Sequence, residues 1–259
     1  MPTITPALLK SVEQLAYEAG EAIMQVYRRG FAVEIKADNS PVTEADKAAH
    51  AIILRGLQTL TPEVPVLSEE DTEHFSGPNA EGFYWLVDPL DGTKEFIKRN
   101  DEFTVNIALI AQGKAVLGVV VAPALQLTYL AAEGLGAFKS VAGHWQAIQA
   151  STAPRAGQPW CVLGSRSHAN PRMAAWLEAL GDHELQAMGS SLKSCLIAEG
   201  NADVYPRFGP TSLWDTGAAQ AVVEQAGGRV VTFENQPLSY ANPKHVLNPD
   251  FVVWGKTPR

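Results

Sequence analysis

The segment Asp88-Pro89-Leu90-Asp91-Gly92-Thr93 constrains the fold of this chain more than any other feature. It follows an apolar run at residues 83–87 that has the composition of a buried strand. Pro89 has no N–H to donate within a central strand, and Asp-Gly-Thr favours a turn. We therefore predict that the strand ends here, with both aspartates at its end and in the turn that follows.

The chemistry of the same segment suits a divalent cation. Asp88 and Asp91, with the Leu90 carbonyl between them, form a compact set of hard oxygen ligands of the kind that Mg²⁺ prefers. Gly92 and Thr93 then present backbone N–H groups and a hydroxyl to an anion close by. From these residues alone, an acidic turn without a ligand is the alternative interpretation.

Composition and charge exclude several classes of protein. The chain has 259 residues, 46% of them hydrophobic, which is enough for one large domain or two modest ones. A formal net charge of -8 argues against nucleic-acid binding through a basic surface. Cys161 and Cys195 are far apart in apolar surroundings and indicate reduced thiols. The first residues lack the features of a signal peptide, so we expect a cytoplasmic protein.

Residues 115–132 carry no charged side chain, and their number is near the minimum for a transmembrane helix. They include Gly118, Pro123, Gln126 and Thr128, however, and the first half is rich in β-branched residues. Two strands joined near Pro123 explain this composition better than a helix does. We expect no integral membrane segment, and peripheral attachment to the cytoplasmic face of the inner membrane stays open.

Two helices followed by a mostly antiparallel sheet are predicted for the first half of the chain. Thr5 suits the N-cap of the first helix, Pro6 its first position and Gly30 its exit. The second helix begins near Thr43, whose hydroxyl forms a capping-box pattern with Asp46. For this pair, simple capping and a place near a metal site are both open. The strands predicted after these helices are residues 103–111, 115–121 and 128–132.

An acidic segment, Ser68-Glu69-Glu70-Asp71, follows a short apolar strand predicted at residues 64–67. Acidic runs usually mark solvated loops, and this description suits Asp71. Glu69, however, lies at the end of a strand, as Asp88 does. If the two strands are neighbours, the side chains of Glu69 and Asp88 converge.

A change of composition at residues 150–159, rich in Ala, Pro and Gly, predicts a linker. We place an amino-terminal α+β domain at residues 1–155 and a carboxy-terminal α/β domain at residues 156–259. Strands and helices alternate in the second domain. Its predicted helices are residues 171–180, 191–199 and 215–225, and its predicted strands are residues 160–163, 184–188, 203–205, a segment near 230 and 251–254.

Polar segments of the second half each have two interpretations. Asp215 opens the last long helix, either as its N-cap or as a carboxylate directed into a cleft between the domains. The N–H groups and lysine of Gly189-Ser190-Ser191-Leu192-Lys193 either bind a phosphate or form a Ser cap with a solvated lysine. His168 and Arg207 belong either to ordinary polar loops or to the same site.

Taken together, these residues resemble a known family. The segment from Asp88 to Thr93 is similar to the first signature of the inositol monophosphatase-like, lithium-sensitive phosphatases. Trp214-Asp215-Thr216-Gly217-Ala218-Ala219, with residues 224–228, is similar to the second, and Glu69 matches the family's upstream acidic ligand. The resemblance covers essentially the whole chain. Leu90 and the segments at 94–96, 189–193 and 205–211 resemble the bacterial 3'(2'),5'-bisphosphate nucleotidases within the family.

The resemblance implies a layered α-β-α-β-α sandwich and a site for two or three Mg²⁺ ions. One ion would be bound by Glu69, Asp88 and the Leu90 carbonyl, and the second by Asp88, Asp91 and Asp215. The catalytic candidates are Glu69, Thr93 and Asp46. The substrate-binding candidates are Glu69, Leu90, Asp91, Gly92, Thr93, His168, Ser190, Lys193, Arg207 and Asp215.

The implied activity is removal of the 3'-phosphate of adenosine 3',5'-bisphosphate, and of 3'-phosphoadenylyl sulfate, in sulfur assimilation. Gathered carboxylates repel one another and an anionic substrate, so the site requires cations. In a two-metal hydrolysis, Glu69 and Thr93 would orient the attacking water. An inositol or sugar monophosphatase and a catalytically silent phospholigand-binding module are the alternatives. The expected partner is a small bisphosphorylated nucleotide, and a homodimer is left open.

Overall fold

The structure is a computed structural model that describes residues 2–35, 41–152, 154, 157–164 and 171–256. Its helices are α1 (Pro6–Arg29), α2 (Glu44–Leu60), α3 (Thr93–Lys98), α4 (Pro171–Leu180), α5 (Leu192–Ala198) and α6 (Leu213–Gln225). The strands before residue 150 are β1 (Val33–Ile35), β2 (Pro41–Thr43), β3 (Val66–Ser68), β4 (Phe83–Asp91), β5 (Thr104–Ala111), β6 (Lys114–Ala122), β7 (Leu127–Ala132), β8 (Gly136–Val141) and β9 (His144–Ala147). The strands after it are β10 (Trp160–Gly164), β11 (His183–Ala187), β12 (Val204–Arg207), β13 (Arg229–Thr232) and β14 (Phe251–Trp254).

The larger sheet has the strand order β3-β4-β5-β6-β7-β8-β9. β3 runs parallel to β4, and every following pair is antiparallel, as predicted. Ser68, the last residue of β3, pairs with Val87, so Glu69 and Asp88 follow these paired residues at the same end of the two parallel strands. The two strands are therefore neighbours, which is the condition under which the sequence predicted that the Glu69 and Asp88 side chains converge.

Side-chain alternation divides the protein into five layers. Along β4, Phe83, Trp85 and Val87 face a core shared with α1 and α2, whereas Tyr84 and Leu86 face a core shared with α5 and α6. The second sheet, of order β11-β10-β12-β14-β13, alternates in the same way. One of its faces packs on the α5 and α6 core, and the other packs on α4. The layered α-β-α-β-α sandwich predicted from the family resemblance is confirmed.

Helix α6 approaches the larger sheet closely because two glycines lie at the contact. A Cβ atom on Gly118 of β6 would lie 2.1 Å from the carbonyl oxygen of Ala218 in α6. A Cβ atom on Gly217 would lie 2.8 Å from a methyl group of Leu86. Larger residues would therefore push the helix away from the sheet. Since Asp215 lies on α6, this close packing sets its distance from the aspartates of β4.

Several local predictions are confirmed. Thr5 caps α1 with Pro6 at the first helical position, and Thr43 and Asp46 form a capping box at the start of α2. Residues 115–132 form β6 and β7, joined by a 3₁₀ turn at Pro123–Leu125. Among the described residues, no helix combines the length and the hydropathy that a membrane span requires.

The prediction that Pro89 ends its strand is wrong. β4 continues to Asp91, and its pairing with β5 shifts register between Asp88 and Asp91. Pro89 and Leu90 lie in this irregularity, where a missing N–H removes no bond of the regular ladder. The shift turns the chain while both aspartates stay at the strand end. Helix α3 and strands β2, β8 and β9 were not predicted.

Candidate active site

Three aspartates from distant parts of the chain meet at the end of β4. Carboxylate oxygens of Asp88, Asp91 and Asp215 all lie within 4.8 Å of one another. Asp88 and Asp91 come from β4, whereas Asp215 comes from the first turn of α6. Ser212, and not Asp215, is the N-cap of that helix, and its N–H donates to Asp215 Oδ2 at 2.8 Å. The simple N-cap interpretation of Asp215 is therefore wrong, because the residue occupies the third helical position of a capping box.

Glu69 belongs to the same cluster. Its N–H donates to the carbonyl oxygen of Val87 at 3.1 Å, which extends the β3–β4 pairing by one residue. Its side chain lies close enough to the Asp88 carboxyl for its negative charge to raise the pKa of Asp88. Glu69 is therefore a fourth acidic residue close to the three aspartates, as the sequence predicted for a metal site.

The electrostatic cost of this arrangement appears in two pKa values. Burial raises the pKa of Asp88 well above its usual range, and the negative charges of Glu69, Asp91 and Asp215 add to the rise. Burial, followed by the charge of Asp91, raises the pKa of Asp215 to about 7. Positive charge close to these carboxylates would favour their ionised forms and lower both pKa values.

Thr93, the first residue of α3, contacts helix α2 through its side chain. Its hydroxyl lies 3.4 Å from Asp46 Oδ1 and 3.3 Å from the carbonyl oxygen of Leu90. The other carboxylate oxygen of Asp46 accepts hydrogen bonds from the N–H and the hydroxyl of Thr43 at 2.8 and 2.7 Å. Burial raises the pKa of Asp46, and the bonds from Thr43 oppose the rise. Asp46 therefore both caps a helix and contacts Thr93, so the two interpretations open from the sequence are compatible.

Gly92 allows the chain to turn between the aspartates and Thr93. It has a left-handed conformation, with φ of 87°. A Cβ atom at this position would also lie 3.2 Å from the carbonyl oxygen of Glu102 and 3.4 Å from Cβ of Ser190. Glycine is therefore favoured by the left-handed turn, and a larger residue would also crowd the Glu102 carbonyl oxygen.

Two backbone N–H groups of the segment Gly189-Ser190-Ser191 donate hydrogen bonds to carboxylates. Gly189 N–H donates to Glu102 Oε2 at 2.7 Å, and Ser191 N–H donates to Asp91 Oδ2 at 2.6 Å. These two N–H groups already have anionic acceptors and are not free for a phosphate, whereas phosphate binding by the other N–H groups of this helix start and by Lys193 stays a prediction. The seven-residue helix α5 follows directly.

Lys193 is buried beneath the cleft. Its Nζ donates to the carbonyl oxygens of Met188 and Ser190 at 3.3 and 2.8 Å and lies 5.3 Å from the centre of the Tyr205 ring. An ammonium group has three donors, so these two bonds leave a third for a ligand. Burial lowers the pKa of Lys193 to about 8, and the charge of Arg207 also lowers it. The solvated-lysine interpretation is wrong for this residue.

A polar cleft of about 190 Å³ is lined both by members of the acidic cluster and by the basic residues Lys193 and Arg207. Asp91, Gly92, Ser190, Lys193, Arg207 and Asp215 line it together with Lys94, Glu95, Ser191, Ser194, Tyr205, Thr211, Thr216 and Phe251. Most of the predicted substrate-binding residues are therefore brought together. His168 lies outside the described residues.

The sequence did not identify the residues that hold Asp91. Thr104, Asn106 and Ser191 all donate to its Oδ2, at 3.4, 3.3 and 2.7 Å for their side chains. Thr104 and Asn106 are buried polar residues on an otherwise apolar strand, β5. Thr104 and Asn106 lie on the same face of this strand, and buried polar groups require hydrogen-bond partners. This pattern could have indicated from the sequence that β5 contributes to the site.

The donor set fits magnesium. Carboxylates and a backbone carbonyl are hard oxygen ligands, and several of them converge within the span of one coordination sphere. Within the described residues, no histidine or cysteine joins the group of three aspartates, so the site lacks the softer ligands that favour zinc.

Comparisons with known proteins agree with this geometry. Residues 7–255 match the inositol monophosphatase family. The chain belongs to this family. The family predicted from the three motifs is therefore confirmed.

Among curated relatives, 3'(2'),5'-bisphosphate nucleotidase CysQ of Escherichia coli strain K12 is 54% identical over 95% of this chain and 99% of its own length. The protein of the same name from Buchnera aphidicola is 44% identical over 90% of this chain and 88% of its own length. Among solved structures, CysQ from Bacteroides thetaiotaomicron, described as a bacterial member of the inositol monophosphatase family, is 39% identical. The superposition covers 96% of this chain and 97% of the CysQ chain, with a TM-score of 0.81.

Proposed function

We propose that this chain is a Mg²⁺-dependent 3'(2'),5'-bisphosphate nucleotidase that removes the 3'-phosphate of adenosine 3',5'-bisphosphate to give AMP and phosphate. The observation that carries the proposal is 54% identity, over nearly the full length of both chains, to a nucleotidase of that name. The acidic cluster beside a cleft with two buried or half-buried cations, Lys193 and Arg207, supports the same conclusion. We also propose 3'-phosphoadenylyl sulfate as a substrate and sulfur assimilation as the context.

Acidic and basic side chains both line the cleft, which suits a substrate with two phosphates if cations bind the acidic side chains. Asp91 and Asp215 line the cleft, with Asp88 and Glu69 close to them, and we assign the scissile 3'-phosphate to these four acidic residues. Mg²⁺, when bound there by these carboxylates and the Leu90 carbonyl, supplies the positive charge that an anionic substrate requires. Lys193 and Arg207 also line the cleft, and we assign to them the second phosphate.

The attacking water is oriented by Thr93 and Glu69 in this proposal. If the Thr93 proton points to Asp46 Oδ1, its oxygen accepts a hydrogen bond from the water. A proton can then pass from the water through Thr93 to Asp46, whose buried carboxylate has a raised pKa. The 3.4 Å separation of the two oxygens is typical of catalytic hydrogen bonds before substrate binds. No covalent phosphoenzyme is needed.

The deciding experiment is a comparison of substrates with the purified protein and Mg²⁺. We expect kcat/KM for adenosine 3',5'-bisphosphate to exceed that for inositol 1-phosphate by orders of magnitude. The reverse preference would identify an inositol monophosphatase, and no turnover of either would support a phospholigand-binding module. Two or three ions, assembly as a homodimer and cytoplasmic location, with or without peripheral attachment to the membrane, belong to the proposal and require separate measurement.

Two variants test the assignment of the second phosphate. Lys193→Ala and Arg207→Ala should raise KM for adenosine 3',5'-bisphosphate much more than KM for a sugar monophosphate, which lacks the second phosphate. Equal effects on both substrates would contradict the assignment. His168→Ala belongs in the same series, because the sequence places this residue among the candidates for the nucleotide portion.

A further inference from the structure

Ser191 lies where the second half of the chain meets the acidic cluster. It is buried, with 5% of its surface exposed, in the turn before α5. Its N–H and its hydroxyl both meet the same atom, Asp91 Oδ2, at 2.6 and 2.7 Å. The hydroxyl oxygen also lies 2.9 Å from the backbone carbonyl oxygen of Asp215. One serine therefore contacts two of the three clustered aspartates, although 100 residues separate it from Asp91.

The direction of these hydrogen bonds follows from Asn106. Its side-chain Nδ2 lies 2.8 Å from Ser191 Oγ, and an amide nitrogen only donates. The serine oxygen accepts this bond, and its single proton is left for one acceptor. Asp91 Oδ2 is the nearer of the two candidates and carries charge, so it is the stronger acceptor. The chain of donors therefore runs from Asn106 through Ser191 to Asp91.

This arrangement distinguishes the two carboxylate oxygens of Asp91. Oδ2 receives the N–H and hydroxyl of Ser191 and the weaker contacts from Asn106 and Thr104, at 3.3 and 3.4 Å. Donors on one oxygen fix the rotation of the carboxylate plane and occupy the lone pairs of that oxygen. Oδ1 then remains available to a cation. Partners that orient metal-binding side chains in this way strongly affect metal affinity.

We infer that Ser191 is a positioning residue that presents Asp91 Oδ1 to a divalent cation. It acts through Asp91 and does not contact the reacting atoms. The inference rests on the metal site of the proposed function. It adds that the loop carrying Ser190 and Lys193 also determines the geometry of a metal ligand.

The test measures cation binding directly, without turnover. Mn²⁺ alone, a hard ion that suits carboxylates, is titrated into metal-free protein, and free Mn²⁺ is followed by electron paramagnetic resonance. Ser191→Ala should weaken Mn²⁺ binding by about 10- to 100-fold. Ser191→Thr keeps the hydroxyl and should retain affinity within a few-fold of the original. Ser140→Ala is the matched control, because it removes the hydroxyl of a buried serine whose Oγ has no hydrogen-bond partner among the described residues.

A kinetic readout separates positioning from a general structural defect. In Ser191→Ala, the Mg²⁺ concentration for half-maximal activity should rise by the same factor as the Mn²⁺ dissociation constant. KM for the nucleotide, measured at saturating Mg²⁺, should change less than about twofold, because Lys193 and Arg207 are unaltered. A rise in KM without a change in metal dependence would overturn the inference.

Two further outcomes keep the inference separate from the proposed function. If the original protein binds no Mn²⁺, the metal site itself is refuted. If it binds Mn²⁺ and folded Ser191→Ala binds equally well, only the role of Ser191 is refuted. Should Ser191→Ala fail to fold, Ser191→Cys decides the question, since it keeps a side chain of similar shape and replaces the hydroxyl with a weak thiol donor. Unchanged Mn²⁺ affinity in that variant would overturn the inference.

Discussion

The hydroxyl of Thr93 lies 3.4 Å from Oδ1 of Asp46, although 47 residues separate the two in the sequence. The contact joins the first turn of α2 to the first residue of α3. Asp46 has two separate tasks, because its Oδ2 caps the helix through Thr43 while its Oδ1 faces Thr93. The two tasks can be separated by substitution.

Replacing Asp46 with asparagine should damage catalysis more than stability. The Asn carbonyl oxygen can still accept a hydrogen bond from Thr43, whereas the amide cannot take up a proton. We expect kcat to fall by about 10²- to 10⁴-fold, the usual contribution of a general base, with little change in KM. Glu44→Gln is the control, since this neighbouring carboxylate is paired with exposed Arg29 at the surface.

A double-mutant cycle tests whether Asp46 and Thr93 act as one unit. Thr93→Val removes the hydroxyl and keeps the shape of the side chain. If the proton passes through Thr93 to Asp46, the double variant should be no slower than the slower single variant. Multiplicative losses would mean that the two residues act independently.

Local patterns were sufficient to predict most of the fold. Caps located the starts of α1 and α2, and apolar runs located the central strands, because β4, β5 and β6 are buried on both faces. β9 was not predicted because all four of its residues are exposed, so it has no buried face to create a pattern. The domain boundary between residues 155 and 156 stays a prediction. The core around α5 and α6 contains buried residues from both predicted domains.

The site could be predicted only where a residue has a motif of its own. Asp88, Asp91 and Asp215 belong to such motifs, and their proximity agrees with them. The partners that hold Asp91 come from β5 and from the turn before α5, and no short sequence pattern relates them. Pro89 misled the prediction because the register shift that accommodates it depends on pairing with a different strand.

Asp88→Asn should stabilise the metal-free protein while it removes activity. The Asp88 carboxyl is buried and is repelled by Glu69, Asp91 and Asp215, and its pKa is raised accordingly. Removing the charge relieves this repulsion, and we expect about 1–2 kcal/mol of added stability, in the range of other stabilising changes at strained sites. The thermal midpoint in EDTA should then rise by about 2–4 °C per kcal/mol. kcat should fall by orders of magnitude, since a ligand proposed to be shared by two ions is lost.

Saturating Mg²⁺ provides the comparison for this variant. In the original protein Mg²⁺ should raise the thermal midpoint through binding, whereas in Asp88→Asn it should raise it much less. Asp71→Asn is the control, because the Asp71 carboxylate has an attractive contact with His74 and its removal relieves no repulsion. A metal-free Asp88→Asn protein that is less stable than the original would contradict the charge-repulsion account.

The activity should decline in alkaline solution because of Lys193. Burial lowers its pKa to about 8, so the ammonium form that attracts phosphate is lost as the pH rises through this value. We expect kcat/KM for adenosine 3',5'-bisphosphate to fall above about pH 8, because this ratio reports the free enzyme. Lys193→Arg should remove the decline, since a guanidinium stays protonated throughout the range. An unchanged alkaline limb in that variant would assign the titration to another group.

Lys193 should make the free energy of unfolding increase with pH, whereas it makes the activity decrease with pH. The folded-state pKa lies below the unfolded value of about 10.4, so the unfolded chain binds more protons between about pH 8 and 10.4. The contribution of this residue to the free energy of unfolding therefore increases with pH in that window. Comparing the original protein with Lys193→Met by urea unfolding at pH 7 and 9.5 isolates this contribution. The stability advantage of Lys193→Met should be smaller at the higher pH.

The distance of Asp215 from the other aspartates should depend on Gly118, which contacts none of them. A methyl group at residue 118 would lie 2.1 Å from the Ala218 carbonyl oxygen, and a backbone atom cannot move away by changing a rotamer. Gly118→Ala should therefore displace α6, destabilise the fold by about 1–3 kcal/mol and weaken cation binding. Gly164→Ala is the control, because a Cβ atom there meets only ordinary contacts, the nearest at 3.8 Å. Thermal unfolding and Mn²⁺ titration of both variants check the prediction, and equal behaviour would mean that β6 does not set the position of Asp215.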